Sequence, residues 1–570
     1  MNNSGSYPLH RVTEMMLIYN KYKTIVLELF RTEKFFLFLL SLVAIAGYGF
    51  TFTNFSISTD DLYVAYDYAN HATRIYLPQG RWGSAIFGAL FGNMLVQPFF
   101  GDFIGVLSLC AAIITWAVLL REASNNRLRR NEYISFSLIF ISYPLINEIF
   151  IWVGASFNIS VGYLLTGLAL ILSYEAIIKN ATGWASLLSV LVLATSIAIY
   201  ESFAAVFLCG IFCVLLLCFI FNENLEKSIK VYTSLLFQYC LLLFFAVALK
   251  TVISALIIRI LHLSAAESGA ANQIYWLSKD YVLVELFAKL LSGIAYWFVY
   301  NSLFYQPVFT FVVACMLALF FAVLMRRKYK STVPLFLFGG LLLSNLALSL
   351  IQGAATPYKS CQSFAIFVAF IGMLSCVFVR EKAKMMLALN VIIFFVIYWQ
   401  ARELNLWFYN DFHRFEMDRI NFINVAQEIE RTCGKNSSKP VVFIGEPPRY
   451  NTLRGDIVNP KLRFLPKYIL TSRTNGVSLF GRFHGDEFFL FMDYYGFKFK
   501  MPNDLQISKG LERIKELKIP AYPRDGCARE FPDSIVVNLG EPNNEDSKPG
   551  RTGRQIIELI RSFNQGRNSK

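Results

Sequence analysis

Eleven apolar runs of about the length a helix needs to cross a lipid bilayer, roughly 20 residues, succeed one another through the first 400 residues. They fall at 35–53, 101–120, 133–152, 157–176, 184–199, 203–221, 232–258, 306–325, 333–353, 363–379 and 386–400. Hydrocarbon offers backbone N–H and C=O groups no partner outside their own segment, so runs of this kind fold as helices. Charge then changes density abruptly: 48 Lys, Arg, Asp and Glu fall in the last 169 residues, against 44 in the first 401. At 55% hydrophobic residues with 54 Phe, the chain is too apolar for a soluble globular protein. The expected fold is a polytopic α-helical membrane protein of about 11 transmembrane helices with a C-terminal α/β domain. The expected domains are an amphipathic segment 1–34, a membrane domain 35–401 with a first outer loop 54–100, and a soluble domain 402–570.

The basic residues set the orientation, because Lys and Arg concentrate in cytoplasmic loops. With the N-terminus inside, 19 of the 26 in residues 1–401 fall on inner segments, Lys250 lies within a run, and only Arg74, Arg81, Arg259, Lys279, Lys289 and Lys359 fall outside. The first outer loop and the C-terminal domain then share the outer side. Because 34 largely polar residues precede the first run, no cleavable signal peptide is expected. In that segment Met15, Met16, Tyr19, Tyr22, Val26, Leu29 and Phe30 recur at helical spacing opposite Lys21, Lys23 and Arg31. This predicts a helix lying on the membrane surface or docked on the bundle. The glycine-rich run 83–98 would invert every later loop if it spanned, so it and 281–303 read as interfacial helices.

Ionisable groups against a membrane segment are costly and point to function. The stretch 58–83, directly after the first run, holds Asp60, Asp61, Asp67, His71, Arg74, Arg81 and Trp82. A helix starting at Asp60 would put Asp60 and Asp67 on one face; Ser58, Thr59 and Asp60 could instead simply cap that helix, a reading that leaves Asp67, Arg74 and Arg81 unaccounted for. Outer cations suit a phosphate, and Arg81, Lys359 and Arg74 are the candidates. Glu148 ends the third run, while Tyr200 and Glu201 sit in a tight outer turn. The last domain shows strand patterns at 441–445 and 534–539 and helical ones at 404–432 and 511–517. It has no phosphate loop, metal cluster or nucleophile motif, and no nucleic-acid motif accompanies the net charge of +14. The aromatic stretch 481–496 reads as core packing before sugar stacking. Cys433 and Cys527 could form a disulfide, which their spacing alone does not decide.

The first run followed by Asp60-Asp61-Leu62, then Tyr76-Leu-Pro-Gln-Gly-Arg81-Trp82-Gly83, many spans and an outer α/β tail, resembles the phage-type O-antigen glucosyltransferases. These are the Gtr type II serotype-converting enzymes of the GT-C class. The loop is the specific part of the resemblance; the later spans match in layout. It implies an undecaprenyl-phosphate-linked glucose donor, a lipopolysaccharide O-antigen acceptor and an acidic pair serving the transfer at the periplasmic face of the bacterial inner membrane. An inverting transfer needs a carboxylate at the acceptor hydroxyl and cations at the leaving phosphate. Asp60 or Asp61 is then the base, and Arg81, Lys359 and Arg74 hold phosphate. Glu201, Glu148, Asp67, Tyr200 and Trp82 are the sugar and acceptor candidates. No cofactor is needed for a single-phosphate donor, although a carboxylate pair could hold a divalent metal. The alternatives are a flippase for lipid-linked oligosaccharide, disfavoured by the absence of internal repeats, and a GT-C transferase with another sugar or acceptor.

Overall fold

The computed structural model describes residues 7–181, 183–223, 225–263, 332–353, 360–434, 437–445 and 486–540, apart from the side chains of 7–15, 59, 60, 66, 147, 148 and 486–488. The chain divides into two compact units, Met1–Phe55 with Asp67–Phe408, and Ser56–Tyr66 with Tyr409–Lys570.

In the first unit the helices are α1 (Tyr7–Thr32), α2 (Lys34–Thr53), α4 (Trp82–Ala89), α5 (Phe100–Ala123), α6 (Arg130–Ser142), α7 (Asn147–Phe150), α8 (Val153–Ile177), α9 (Gly183–Ile199), α10 (Phe203–Phe221), α11 (Ile229–Ile260), α12 (Val333–Ser344), α13 (Ala347–Gln352) and α14 (Ser363–Val379). Between the two units' segments lie α3 (Thr59–His71) and, late in the chain, α15 (Ala383–Cys433). Among the described residues α2, α5, α8, α10, α11 and α15 are long and apolar enough to cross a membrane, while α9, α12 and α14 are apolar but shorter. The protein is a membrane protein.

Several expectations change in detail. The run 133–152 is not one helix: α6 stops at Tyr143, whose backbone is extended, because Pro144 disfavours helix at the residue before it. The run 333–353 is interrupted between α12 and α13. The run 83–98 forms α4 and a short 3-10 turn, Gly92–Val96, neither of which could span. The last run does not end before an amphipathic helix begins; both belong to the 51-residue α15. The runs 306–325 and 281–303 lie outside the described residues.

Helices approach closely where small residues meet large ones, the usual device where lipid is as apolar as the side chains. Trp116 of α5 donates its indole N–H to Tyr163 O of α8 at 3.0 Å. At one end of the bundle the loop charges pair into a collar: Arg129 with Glu381 at 2.6 Å, Arg130 with Glu33 at 2.9 Å and Arg127 with Glu223 at 2.7 Å. Lys21, expected on the solvent side of α1, instead sits between Glu122 (2.6 Å) and Glu175 (2.7 Å), both buried. Tyr22 Oη donates to Glu175 at 2.6 Å. So α1 docks on the bundle through these groups and Leu29, and leaves Met16, Tyr19 and Phe30 exposed.

The second unit holds β1 (Val441–Ile444), α16 (Asp486–Tyr494), α17 (Asp504–Leu517), β2 (Ala528–Glu530) and β3 (Ile535–Asn538). The sheet order is β1-β3-β2. β1 runs parallel to β3 with Val441 opposite Ile535, and β2 is antiparallel with Ala528 opposite Val537. A parallel pair needs a crossover, and α17 lies within it. The helix starts at a reciprocal cap, Asn503 Oδ1 accepting from Gln506 N and Gln506 Oε1 from Asn503 N, both 2.9 Å. Val442, Ile444, Ile519 and Val536 form the core beneath it. Of the aromatic stretch, Phe489 and Phe491 pack inward, the Phe491 ring 4.5 Å from that of Phe422, while Tyr494 is exposed and Phe483 and the Phe488 side chain lie outside the described residues. Cys433 and Cys527 are not bonded to each other, and burial pushes both thiols up to about 11.

Candidate functional site

The acidic stretch belongs to the second unit up to Tyr66. Ser58 precedes α3, and Asp61 is its third helical residue. Asp61 Oδ2 accepts from Ser58 N at 3.0 Å and from Ser58 Oγ at 2.6 Å. This is the carboxylate half of a capping box, returning to the N-cap backbone. Asp61 is 2% exposed and Ser58 fully buried, so the cap is an interior feature. The side chain of Asp60 lies outside the described residues. The single helix expected to carry both Asp60 and Asp67 is interrupted: α3 is broken at Asp67, whose φ of −157° and ψ of 91° are not helical. Asp67, exposed, caps the turn that follows by accepting from Asn70 N at 3.1 Å.

The cations gather in the first unit. After a π-helical turn, Ala72–Tyr76, the chain folds back at Gly80, whose φ of +73° favours glycine. A Cβ there would also lie 3.1 Å from Lys250 Nζ and 3.0 Å from Ser254 Oγ of α11. Gly83 holds the next turn against α9, where a Cβ would meet Thr195 O at 2.7 Å. Ser84 Oγ adds a 2.9 Å bond to Ile199 O. Arg81 is thereby fixed between α11 and the end of α9. Its Nε donates to Glu201 Oε2 at 3.2 Å, and Lys250 Nζ lies 3.6 Å from Glu201 Oε1. The Arg81 guanidinium stacks 4.5 Å from the Tyr200 ring centre, a cation–π contact. Tyr200 Oη and Ser360 Oγ are 3.0 Å apart, and Ser202 Oγ donates to Gln362 Oε1 at 2.8 Å. Burial works against the Arg81 charge, but Glu201 and Tyr200 outweigh it and hold the pKa above the ordinary guanidinium value. Among the described residues, two cations face one carboxylate here, an excess of one positive charge.

A family profile for glucosyl transferase GtrII matches residues 49–376. The chain belongs to the GtrII glucosyl transferase family. It is therefore a glycosyltransferase, and every candidate site residue lies inside the region that the family profile covers. Among solved structures, an Archaeoglobus fulgidus oligosaccharyltransferase complexed with Zn and sulfate is similar at 13% identity and a TM-score of 0.34, over 64% of this chain and 52% of that one. The chain thus spans about half the length of that structure. No curated protein is similar enough in sequence to count as a relative.

In this GtrII family member the structure brings Arg81, Tyr200 and Glu201 together and adds Lys250, which no sequence pattern singled out. Glu201, expected at a sugar, has both carboxylate oxygens engaged by cations. Trp82 opens α4 next to Arg81, buried, and its Nε1 has no hydrogen-bond partner among the described residues. Arg74 lies on the π-helical turn and is exposed. Glu148 falls in α7 with its side chain outside the described residues, as is Lys359, whose neighbour Ser360 reaches Tyr200.

Proposed function

We propose that this glycosyltransferase moves glucose from undecaprenyl-phosphate glucose to a sugar of the lipopolysaccharide O-antigen, with inversion, at the periplasmic face of the inner membrane on a GT-C architecture. The Arg81–Lys250–Glu201 cluster carries this reading. A half-buried site with one cation in excess suits a single phosphodiester anion, and the departing phosphate gains charge that fixed cations stabilise. In the step proposed, a carboxylate of the acidic pair takes the acceptor hydroxyl proton while that oxygen bonds to the anomeric carbon of glucose. The bond from that carbon to the phosphate oxygen breaks, and polyprenyl phosphate leaves with both electrons. With Asp61 engaged in the cap, Asp60 is the proposed base. Glu201 is a positioning residue that holds Arg81 and Lys250 toward the phosphate.

Arg81→Ala should raise the KM for polyprenyl-phosphate glucose about tenfold to a hundredfold, the worth of a charge-assisted hydrogen bond of about 1.5–3 kcal/mol. Arg81→Lys should recover only part, because the ammonium has no planar fork. Transfer assays on purified variants decide it, and an unchanged KM in Arg81→Ala would make Arg81 a structural residue. The outward placement has its own test in fusions after Lys570. Alkaline phosphatase should be active there and β-galactosidase inactive; the reverse would put the site on the cytoplasmic side.

A further inference from the structure

We infer that Asn158, in the second turn of α8, recognises the sugar of the lipid-linked donor; the inference rests on the donor reading above. Asn158 is 1% exposed, yet neither its Nδ2 nor its Oδ1 has a hydrogen-bond partner among the described residues. A buried amide left unpaired forfeits its hydration with nothing in return, and native structures keep few of them. A side chain with both ends unsatisfied therefore points to a partner that binds during function.

The register of the helices brings it level with the turn that holds the cation cluster. On α8, Asn158, Gly162 and Thr166 follow one another at four-residue spacing and share a face. Thr166 Oγ1 lies 2.8 Å from Ser196 Oγ of α9, and Ser196 Oγ also donates to Gly162 O at 2.9 Å. A Cβ on Gly162 would strike the Phe203 ring at 2.1 Å. Because α8 and α9 run in opposite directions, one turn further along α9 is Tyr200 and one turn back along α8 is Asn158. Asn158 is thus level with the Tyr200-Glu201-Ser202 turn, where Glu201 holds Arg81 and Lys250. A hexose bonded directly to a phosphate at that cluster has its hydroxyls within one ring's length of it. A carboxamide offers a donor and an acceptor side by side, which matches two neighbouring sugar hydroxyls, each both donor and acceptor.

The test compares two probes, bare polyprenyl phosphate and polyprenyl-phosphate glucose, by the melting temperature of the purified full-length protein in detergent and by transfer kinetics. In the wild type the glucosylated lipid should protect more than the bare lipid. Asn158→Leu, close in volume and free of polar atoms, should fold at least as stably as the wild type, since replacing an unpaired polar group by an apolar one is neutral or stabilising. It should lose the extra protection given by glucose, keep the protection given by the bare lipid, and raise the donor KM about thirtyfold, as two neutral hydrogen bonds of about 1 kcal/mol each would. Should the leucine variant fold poorly, Asn158→Ser gives the same comparison. Arg81→Ala should instead lose protection by both lipids. If Asn158→Leu keeps both the glucose-dependent protection and the wild-type KM, the amide is structural and the inference is wrong. If neither lipid protects the wild type, the donor reading fails and takes this inference with it.

Discussion

Asp60→Asn should insert, fold and melt like the wild type while transferring glucose about 10²–10⁴-fold more slowly, the usual cost of losing a general base. Asparagine keeps the size and a hydrogen-bond acceptor but takes up no proton. Asp61→Asn should do the opposite. Asp61 Oδ2 accepts from both Ser58 N and Ser58 Oγ, and an amide oxygen can still accept, but the charge at the helix N-terminus is lost. Such a charge is worth about 0.3–1 kcal/mol, so the variant should melt lower and keep turnover within about tenfold. Both variants would be compared at matched protein level for transfer from polyprenyl-phosphate glucose and for thermal stability. A stable and inactive Asp61→Asn beside an active Asp60→Asn would exchange the two roles. Wild-type turnover in both would remove the pair from the chemistry.

The parts of this fold that could be read from the sequence are those set by local rules. A membrane-spanning helix satisfies its backbone within its own segment, so apolar length locates α2, α5, α8, α10 and α11 without knowledge of their neighbours. The strands β1 and β3 are legible for a related reason, being short buried runs bounded by Gly and Pro. Local chemistry also bears on Asp61: Ser58-Thr59-Asp60-Asp61 has capping-box spacing, although spacing says nothing of its burial. The break in α3 at Asp67 involves neither Pro nor Gly and leaves no mark in the pattern. Most of the cation cluster is non-local. Arg81 and Glu201 are 120 residues apart, and Lys250 looks like a stray charge inside an apolar run until the fold sets it beside Glu201. Asn158 is still less visible, since one polar residue in an apolar helix carries no spacing signal, and only the lack of a partner marks it.

Arg414→Met should destabilise the second unit more than any substitution on its surface. Arg414 lies between Asp411 (3.0 Å) and Asp418 (3.2 Å), and the side chains of all three are less than a tenth exposed. The i, i+3, i+4 spacing is plain in the sequence, and exposed pairs at such spacing contribute only about 0.2–0.5 kcal/mol. Burial changes the magnitude, because removing the cation strands two carboxylates away from water, and breaking a buried ion pair typically costs about 3–5 kcal/mol. The loss should reach the acidic stretch as well. Ser56 Oγ donates to Asp411 Oδ2 at 2.7 Å, so the triad anchors the segment that leads into Ser58 and the Asp61 cap. The cost is of breaking the pair, not of lacking it. Arg414→Met combined with Asp411→Asn and Asp418→Asn should therefore recover most of the stability, since well-packed neutral replacements of buried ion pairs are often neutral or better. Chemical denaturation of the purified protein, followed by the fluorescence of a probe attached to Cys433, would report the second unit. If Arg414→Met unfolds like the wild type, the triad is a solvated surface cluster and the anchoring of 56–66 must come from elsewhere. If the triple variant is no more stable than Arg414→Met alone, the guanidinium itself, through its packing, is what the unit needs.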